Sequence, residues 1–243
     1  MSAFLDIAVD EKRHGARTVL RGLRLAVGEG EIVSLVGASG CGKSTLLSIV
    51  AGLDRAYRGA VRLAGRTLDG PDADVGLVFQ APRLFPWLGV TQNVVFGGRG
   101  KPDLARAHAL LDEVGLAGHA DALPKQLSGG QAQRAAIARG LYLEPKVLLL
   151  DEPFSAVDAF TRMRLQDLLA HAARQRGLTV LLVTHDIDEA LYLSDRVVLM
   201  DSVPGPVRAE FAQPAPWPRE RSALAVSPIK PAILDSLHAA HAF

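Results

Sequence analysis

The chain has 243 residues, of which 49% are hydrophobic, and it has one cysteine and a formal net charge of +1. This composition allows one sizeable core and excludes an internal disulfide framework, and the net charge gives no support for a broad nucleic-acid footprint. The apolar runs are far shorter than the roughly 18 residues of a membrane span, and no secretory signal is visible, so we expect a soluble protein of a reducing compartment.

Apolar runs that predict strands alternate with segments of helical periodicity along most of the chain. The first thirty residues place apolar side chains in partly alternating order, which predicts antiparallel strands beside a main sheet. The later alternation predicts an α/β fold whose sheet is largely parallel. The predicted strands are 32–37, 75–79, 147–151, 179–184 and 197–200; the predicted helices begin after Gly42 and after Ser128 and cover 104–114, 161–176 and 187–193.

The character of the sequence changes twice. Residues 81–142 are alanine-rich and helical with short Gly and Pro breaks, which predicts a helical subdomain inserted into the α/β core. Residues 204–243 begin with repeated prolines, which predicts an irregular surface tail that a short helix at 233–237 closes. The α/β core then comprises residues 1–80, with the antiparallel β subdomain, and residues 143–203.

Residues 37–44 match G-x-x-x-x-G-K-[ST], the phosphate-binding P-loop. A predicted strand precedes the loop and a predicted helix follows it, which directs backbone N–H groups and a helix N-terminus at one anion. Lys43 would reach the β- and γ-phosphates of a nucleotide, and the Ser44 hydroxyl would ligate Mg²⁺. We interpret Cys41 as a small filler of the turn, with a thiol-reagent target as the alternative. The predicted nucleotide-binding residues are Gly37, Ala38, Ser39, Gly40, Cys41, Gly42, Lys43, Ser44 and Thr45.

The apolar run at 147–150 ends in two carboxylates, Asp151 and Glu152. Asp151 would help to hold Mg²⁺, directly or through water, and Glu152 would polarise an attacking water as a general base. The alternative is a buried strand that ends in surface acids, and the nearby P-loop motif weighs against it.

A second anion site is predicted where Leu127 is followed by Ser128, Gly129, Gly130 and Gln131. Ser128 is a natural N-cap, and the two glycines leave backbone N–H groups open at the start of a helix. On its own such a sequence is usually only a cap and a turn, so its meaning depends on the other motifs.

These motifs occur in the order of the ATP-binding cassette family, and from about residue 14 to about residue 208 the chain resembles the nucleotide-binding subunit of an ABC transporter. The resemblance implies a P-loop NTPase fold with a RecA-like core, an antiparallel β subdomain and an inserted helical subdomain. It identifies 37–45 as the Walker A loop, 127–131 as the signature, and Asp151 and Glu152 as the Walker B aspartate and the catalytic glutamate.

The resemblance also implies roles for three residues outside those motifs. Gln80 would be the Q-loop glutamine, which contacts Mg²⁺ and the attacking water. His185 would be the switch histidine that touches the γ-phosphate, and Asp158 would end the D-loop at 155–158. The implied metal-binding residues are Ser44, Gln80 and Asp151, and the implied catalytic residues are Glu152, His185, Gln80 and Lys43.

By the same resemblance, ATP is hydrolysed at a site that two chains share. The chain has one copy of each motif, and in this family the signature of one chain closes on the γ-phosphate held by the Walker A loop of another. Ser128 and the Gly130 N–H would therefore act across the interface with a second nucleotide-binding subunit, which we expect to be an identical chain.

Residues 79–88 and 151–158 resemble the importer group for nitrate, sulfonate, taurine and related small solutes. This implies a peripheral subunit at the cytoplasmic face of the inner membrane, with a permease docked near Gln80 to Trp87. A periplasmic or extracellular solute-binding protein would act through the permease, and no nucleic acid is expected. The alternative for Phe85 and Trp87 is a place in the core of the helical subdomain.

One departure from the family pattern concerns adenine. His14 stands where the family usually has an aromatic residue that stacks on the base, and a solvated loop residue is its alternative. The remaining histidines lack metal-ligand spacing. Arg134 and Arg139 are predicted to lie on a helix surface in local ion pairs.

Three other functions remain as alternatives. A soluble, non-transport ABC ATPase acting on DNA or ribosomes usually carries long coiled-coil insertions or two cassettes, and neither is present. An ATP-binding subunit without turnover is disfavoured by Glu152 and His185. A P-loop kinase is disfavoured by the signature and His185.

Overall fold

The computed structural model of the chain describes residues 3–98, 100–202, 204–225 and 227–241. The chain forms two compact units, the first from residues 1–72 and 177–243 and the second from residues 73–176. The division into a core, a helical subdomain and a tail at residues 81, 143 and 204 stays a prediction.

The regular elements alternate between strands and helices from β7 to β9. The strands are β1 (Leu5–His14), β2 (Arg17–Val27), β3 (Ile32–Gly37), β4 (Tyr57–Leu63), β5 (Arg66–Thr67), β6 (Val75–Val78), β7 (Val147–Asp151), β8 (Thr179–Val183), β9 (Arg196–Met200) and β10 (Val207–Ala212). The helices are α1 (Lys43–Val50), α2 (Val90–Val95), α3 (Leu104–Glu113), α4 (Gly129–Tyr142), α5 (Ala159–Arg176), α6 (Ile187–Leu193), α7 (Arg221–Ala225) and α8 (Ile229–His241).

An antiparallel sheet with strand order β2-β1-β4-β5 occupies the N-terminal part of the first unit. Along β1 the apolar side chains Leu5, Ile7 and Val9 are fully buried, and the residues between them are more exposed. This alternation is what a sheet with one packed face requires. The antiparallel strands that the first thirty residues predict are therefore confirmed.

The first unit also contains strands in the order β10-β9-β3-β8, in which β3 runs parallel to both of its neighbours. Both β3 and β8 are buried almost throughout, as continuous apolar runs in a parallel sheet are. Because Leu35 pairs with Val183, the loops that follow β3 and β8 leave the sheet at the same edge.

The second unit contains the parallel pair β6–β7 and helices α2 to α5. Within residues 81–98 and 100–142 the structure contains helices and no strand, as the alanine-rich sequence predicts. Gly140 lets α4 approach β6 closely, because a Cβ there would lie 2.8 Å from Val78 Cγ2.

The C-terminal segment departs from the predicted irregular tail. Residues 207–212 form β10, which pairs antiparallel with β9, and α8 is longer than the helix predicted at 233–237. The expectation of an irregular course is therefore wrong for these residues. The prolines at 204, 206 and 214–218 flank β10 and leave its own six residues free of proline, so its N–H groups can join the ladder.

Arg219 anchors this segment to the end of α6. Its guanidinium donates hydrogen bonds to the carbonyl oxygens of Tyr192 (2.9 Å) and Ser194 (2.8 Å) and to that of Ala215 (2.8 Å). The Arg219 side chain is only 2% exposed, and Asp195 lies 3.7 Å from it. A buried guanidinium thus satisfies the last carbonyls of a helix that have no intrahelical partner.

Replacing Arg219 with methionine should lower the free energy of unfolding by about 3 kcal/mol, because it leaves several buried carbonyls without donors. Urea unfolding monitored by circular dichroism measures this value. The same change at the exposed Arg55 should cost less than about 0.5 kcal/mol. Equal stability of the Arg219 variant and wild type would contradict the anchoring role.

Candidate functional site

The P-loop lies between β3 and α1, and the start of α1 lacks a side-chain cap. By contrast, Asp103, Ser128 and Asp186 cap α3, α4 and α6 with their side chains. The first N–H groups of a helix have no intrahelical acceptor, so an uncapped start can serve a bound anion. This local geometry is what the sequence motif predicts.

Lys43 lies over the same loop. Its Nζ donates to the carbonyl oxygens of Gly37 (2.8 Å) and Ala38 (2.9 Å), and the residue is 7% exposed. Cys41 Sγ lies 3.7 Å from Nζ and the thiol is buried, which fits the interpretation of Cys41 as a small filler. The ammonium is thus held over the loop by two backbone carbonyl oxygens.

Two positions of the loop admit no side chain. A Cβ on Gly37 would lie 2.6 Å from the Met200 carbonyl oxygen, and one on Gly42 would lie 2.5 Å from Leu20 Cδ2. Gly42 also has φ 105°, a backbone conformation that residues with a side chain rarely adopt. The tight fit of the loop against β2 and β9 therefore explains why the motif needs glycine at both positions.

His185 follows β8 at the sheet edge from which the P-loop also leaves. The preceding Thr184 is buried, and its hydroxyl accepts a hydrogen bond from Asp186 N at 3.0 Å. Asp186 in turn caps α6 by accepting from Glu189 N. The exposed imidazole of His185 is held between two fixed neighbours.

In the second unit, Gln80 follows β6, and Asp151 and Glu152 lie at the end of the neighbouring parallel strand β7. Because Val78 pairs with Leu150, Gln80 and the two carboxylates lie at the same edge of this parallel pair of strands. Gln80 Nε2 donates to Glu152 Oε2 at 3.1 Å. Glu152 has φ 45°, a strained left-handed conformation for a non-glycine residue. The structure thus joins two of the residues that the sequence predicts to act on water.

The signature begins α4 with a reciprocal cap. Ser128 Oγ accepts from Gln131 N at 3.2 Å, and Ser128 N donates to Gln131 Oε1 at 2.8 Å. A Cβ on Gly130 would lie 3.2 Å from the Ala156 carbonyl oxygen, so the signature packs against residues 155–158 of its own unit. Gly129 is the first residue of the helix.

Asp158 caps α5, since its Oδ1 accepts from Thr161 N at 3.0 Å. This hydrogen bond, together with one from the Thr161 side chain, lowers the pKa of the Asp158 carboxyl below its ordinary value. Asp158 is therefore a carboxylate at neutral pH, fixed at the start of a helix whose dipole favours negative charge.

His14 ends β1 and its side chain is 57% exposed. Its Nε2 lies 3.8 Å from Asp54 Oδ2. The same Asp54 carboxylate accepts a 2.7 Å hydrogen bond from the buried Lys12. His14 thus presents an exposed ring beside an ion pair, and its stacking on adenine stays a prediction.

Arg134 and Arg139 lie partly exposed on α4, but hydrogen bonds to backbone carbonyl oxygens take the place of the predicted ion pairs. Arg139 donates to the carbonyl oxygens of Pro82 and Arg83, both at 3.1 Å, and burial lowers the pKa of its guanidinium. Arg134 donates to the carbonyl oxygen of Val114 at 3.0 Å. Arg139 therefore fixes the backbone just after Gln80, a role that its place in an alanine-rich helix does not reveal.

The chain is similar to known proteins over its full length. Residues 20–155 match the family model described as ABC transporter. The aliphatic sulfonates import ATP-binding protein SsuB 1 of Xanthomonas axonopodis pv. citri is 54% identical over 250 residues, which cover 100% of this chain and 99% of that protein. The SsuB 1 protein of Pseudomonas aeruginosa (strain UCBPP-PA14) is 53% identical over 247 residues, or 99% of each chain.

Solved structures of the ATP-binding cassette MJ0796 are also similar. The dimeric post-hydrolysis state bound to ADP and Pi has a TM-score of 0.77 and 32% identity, and the match covers 87% of this chain and 99% of that one. A dimeric structure described as a bacterial ABC transporter cassette has a TM-score of 0.78 and 33% identity over the same shares.

The mixed α/β fold, with a P-loop before α1 and a helical segment at 81–142, is that of an ATPase cassette. The chain belongs to the ABC transporter family. Within the described residues, no helix is both long enough and apolar enough to cross a bilayer.

The ion pair beside His14 should stabilise the chain in a pH-dependent way. Burial of the Asp54 carboxyl acts to raise its pKa, but hydrogen bonds from Lys12 and Ala56 N and the charge of Lys12 outweigh burial and lower it. The stabilisation is therefore fully present above the ordinary pKa of aspartate and is lost as pH falls through the lowered one. Asp54→Asn should cost about 1 kcal/mol at pH 7.

Urea unfolding at a series of pH values tests this, with the exposed Asp69→Asn as the matched control. The difference between Asp54→Asn and wild type should narrow as the pH falls below about 4. A difference that does not change with pH would show that packing, not the charge pair, is responsible.

Proposed function

We propose that this chain is the ATP-hydrolysing subunit that energises an ABC importer for aliphatic sulfonates. The observation that carries the proposal is the full-length similarity to aliphatic sulfonates import ATP-binding proteins at 53–54% identity. The complete set of ATPase side chains supports turnover, and the alternatives of a non-transport ATPase and a subunit without turnover are not favoured.

The residues present fit ATP and Mg²⁺. The uncapped start of α1 supplies N–H donors for phosphate, and Lys43 supplies a cation at the same loop. Ser44, Asp151 and Gln80 carry the hard oxygen atoms that Mg²⁺ prefers and would be its protein ligands, beside phosphate oxygens and water. When bound, Mg²⁺ would offset charge on the β- and γ-phosphates.

The chain's own side chains then divide the work of hydrolysis. Glu152 would accept a proton from the attacking water, and the amide of Gln80 would hold that carboxylate and the water in place. Lys43 would stabilise negative charge that develops on the transferred phosphoryl group. His185 would donate to the γ-phosphate from the edge of β8, and Thr45 would extend the Walker A contacts.

The proposed site is completed by a second copy of the chain. Ser128 Oγ and the Gly130 N–H stand at the start of α4, where the helix dipole favours an anion, and they would close on ATP held by the partner's Walker A loop. Asp158 would lie at this interface, and His14 would stack on adenine. Dimeric MJ0796 cassettes support the expectation of a homodimer.

An aromatic surface formed by Phe85, Trp87 and Phe96 is proposed as the docking site for the permease. Trp87 is 71% exposed and Phe96 is 49% exposed, which does not fit a place in the core. The Phe85 ring lies 5.6 Å from Trp87 and 4.2 Å from Phe96 between ring centroids. Exposed aromatic groups of this kind anchor protein interfaces.

The permease would place this chain at the cytoplasmic face of the inner membrane as a peripheral subunit. A solute-binding protein on the opposite face would deliver the sulfonate to the permease. Closure of the cassette dimer on ATP, and its opening after hydrolysis, would drive the permease between its conformations.

The first test is Glu152→Gln in the purified chain. This variant should bind ATP, lose turnover by at least about 100-fold because the general base is gone, and accumulate as an ATP-bound dimer. Steady-state phosphate release and size-exclusion chromatography with light scattering measure both properties. The matched change Glu113→Gln, at the exposed end of α3, should behave as wild type. Wild-type protein that binds ATP but never hydrolyses it would contradict the proposal.

A reconstituted transporter tests two points: the response of wild type identifies the transported solute, and Trp87→Ala tests the docking surface. In proteoliposomes with the permease and the solute-binding protein, wild type should show ATP hydrolysis that an aliphatic sulfonate stimulates. Trp87→Ala should lose most of that stimulation and keep the basal rate of the isolated chain, because truncating an interface aromatic weakens docking.

The control for this experiment is Leu104→Ala, which truncates another exposed apolar residue of the same unit and should keep full stimulation. Stimulation by nitrate and not by sulfonates would overturn the proposed substrate class. Full stimulation of the Trp87 variant would overturn the docking surface.

A further inference from the structure

The carboxamide of Gln131 is held at both of its ends. Its Oε1 accepts from Ser128 N at 2.8 Å, and its Nε2 lies 2.9 Å from the Nε2 of His119. A backbone N–H only donates, so the amide oxygen is fixed at Ser128 and the NH₂ group faces the imidazole. That NH₂ group also only donates. His119 Nε2 is therefore the acceptor, and the ring proton lies on Nδ1.

His119 occupies a rigid turn that no motif of the sequence includes. It ends the 3₁₀ turn Ala117–His119, where its N–H donates to the Leu116 carbonyl oxygen at 2.9 Å. Its own carbonyl oxygen accepts from Ala122 N at 3.1 Å. With the ring half-buried and the backbone bonded on both sides, the position of Nε2 is set by the turn.

The same turn is bonded to the start of α2. The Thr91 backbone N–H and its hydroxyl both donate to the Ala120 carbonyl oxygen at 2.9 Å, and Val90 N donates to the Ala122 carbonyl oxygen at 2.9 Å. Thr91 is 9% exposed. These bonds join the residues just after His119 to the start of α2.

Helix α2 in turn fixes the backbone beneath the aromatic surface. Asn93 is fully buried, and its Oδ1 accepts from Phe85 N at 2.7 Å. Its Nδ2 donates to the carbonyl oxygens of Phe85, Leu88 and Gly89 at 2.9 to 3.2 Å. A continuous series of hydrogen bonds therefore runs from the aromatic surface, through α2 and the turn of His119, to the cap of the signature helix.

We propose that His119 is a positioning residue of the signature: its Nε2 holds the Gln131 carboxamide, and thereby the Ser128 cap, in the geometry that receives the partner's γ-phosphate. The inference rests on the proposed function, since it assigns the signature to ATP. Without an acceptor at Nε2, the Gln131 carboxamide turns toward water. The hydrogen bond from Ser128 N to Gln131 Oε1, which is one half of the reciprocal cap, then weakens. The hydrogen bonds of the turn connect the backbone beneath the aromatic surface to that cap.

The test compares His119→Leu, which removes the acceptor, with His119→Gln, which places an amide oxygen near the position of Nε2. His108→Leu, at an exposed position on α3, is the matched control. Three quantities are measured: kcat for ATP hydrolysis, the ATP-driven dimerisation constant in the Glu152→Gln background, and the affinity of the monomer for a fluorescent ATP analogue.

His119→Leu should lower kcat and weaken dimerisation by about three- to tenfold, the range for one lost hydrogen bond. Its monomer should bind the ATP analogue as tightly as wild type, because Walker A is intact. His119→Gln should restore most of both losses, and His108→Leu should change neither. A purely structural role for His119 would not give this split between dimerisation and monomer binding.

Several results would overturn the inference. They are wild-type kcat and dimerisation in His119→Leu, failure of His119→Gln to restore a loss, or an equal loss of monomer ATP binding. Long-range ¹H–¹⁵N NMR provides a measurement that does not depend on activity: His119 should be the Nδ1–H tautomer, and the Gln131 side-chain amide resonances should shift in His119→Leu. A wild-type chain without ATPase activity would overturn the proposed function, whereas the wrong tautomer would overturn only this inference.

Discussion

Parallel strand pairing is the constraint on which the proposed site depends. Where two strands run parallel and in register, the loops after them must leave at one edge, and chemically active side chains gather there. The Leu35–Val183 pairing does this for the P-loop and His185. The Val78–Leu150 pairing does it for Gln80 and the two carboxylates. Within each unit, register brings together residues that lie 72 or more positions apart in the chain.

The local part of this arrangement could be predicted from the sequence because its signals are local. The run 32–37 is apolar almost throughout, as a strand buried on both faces must be, and its last residue must be glycine because Gly37 lies against the Met200 carbonyl oxygen. Strands 32–37 and 147–151 match β3 and β7 at both ends, and the other predicted strands differ by one residue. Definitions of where a strand ends differ by that much in any case.

The parts that sequence reasoning missed depend on partners far along the chain. β10 has an alternating, half-exposed pattern and lies among prolines, so only its pairing with β9 reveals it as a strand. Arg219 meets carbonyl oxygens 25 to 28 positions earlier, and Arg139 meets those of Pro82 and Arg83. An arginine that bonds to distant carbonyl oxygens leaves no pattern of periodicity or spacing in the sequence, so it cannot be predicted from it.

The central claim is that each ATP is hydrolysed between two chains, and mixed dimers test it most directly. Lys43→Ala and Ser128→Arg should each be inactive alone, since every site in either homodimer lacks one essential group. Mixed in equal amounts, they should recover about a quarter of the wild-type rate, because half of the dimers are mixed and each of these has one intact site. No recovery in mixtures that demonstrably form mixed dimers would contradict a site shared between chains.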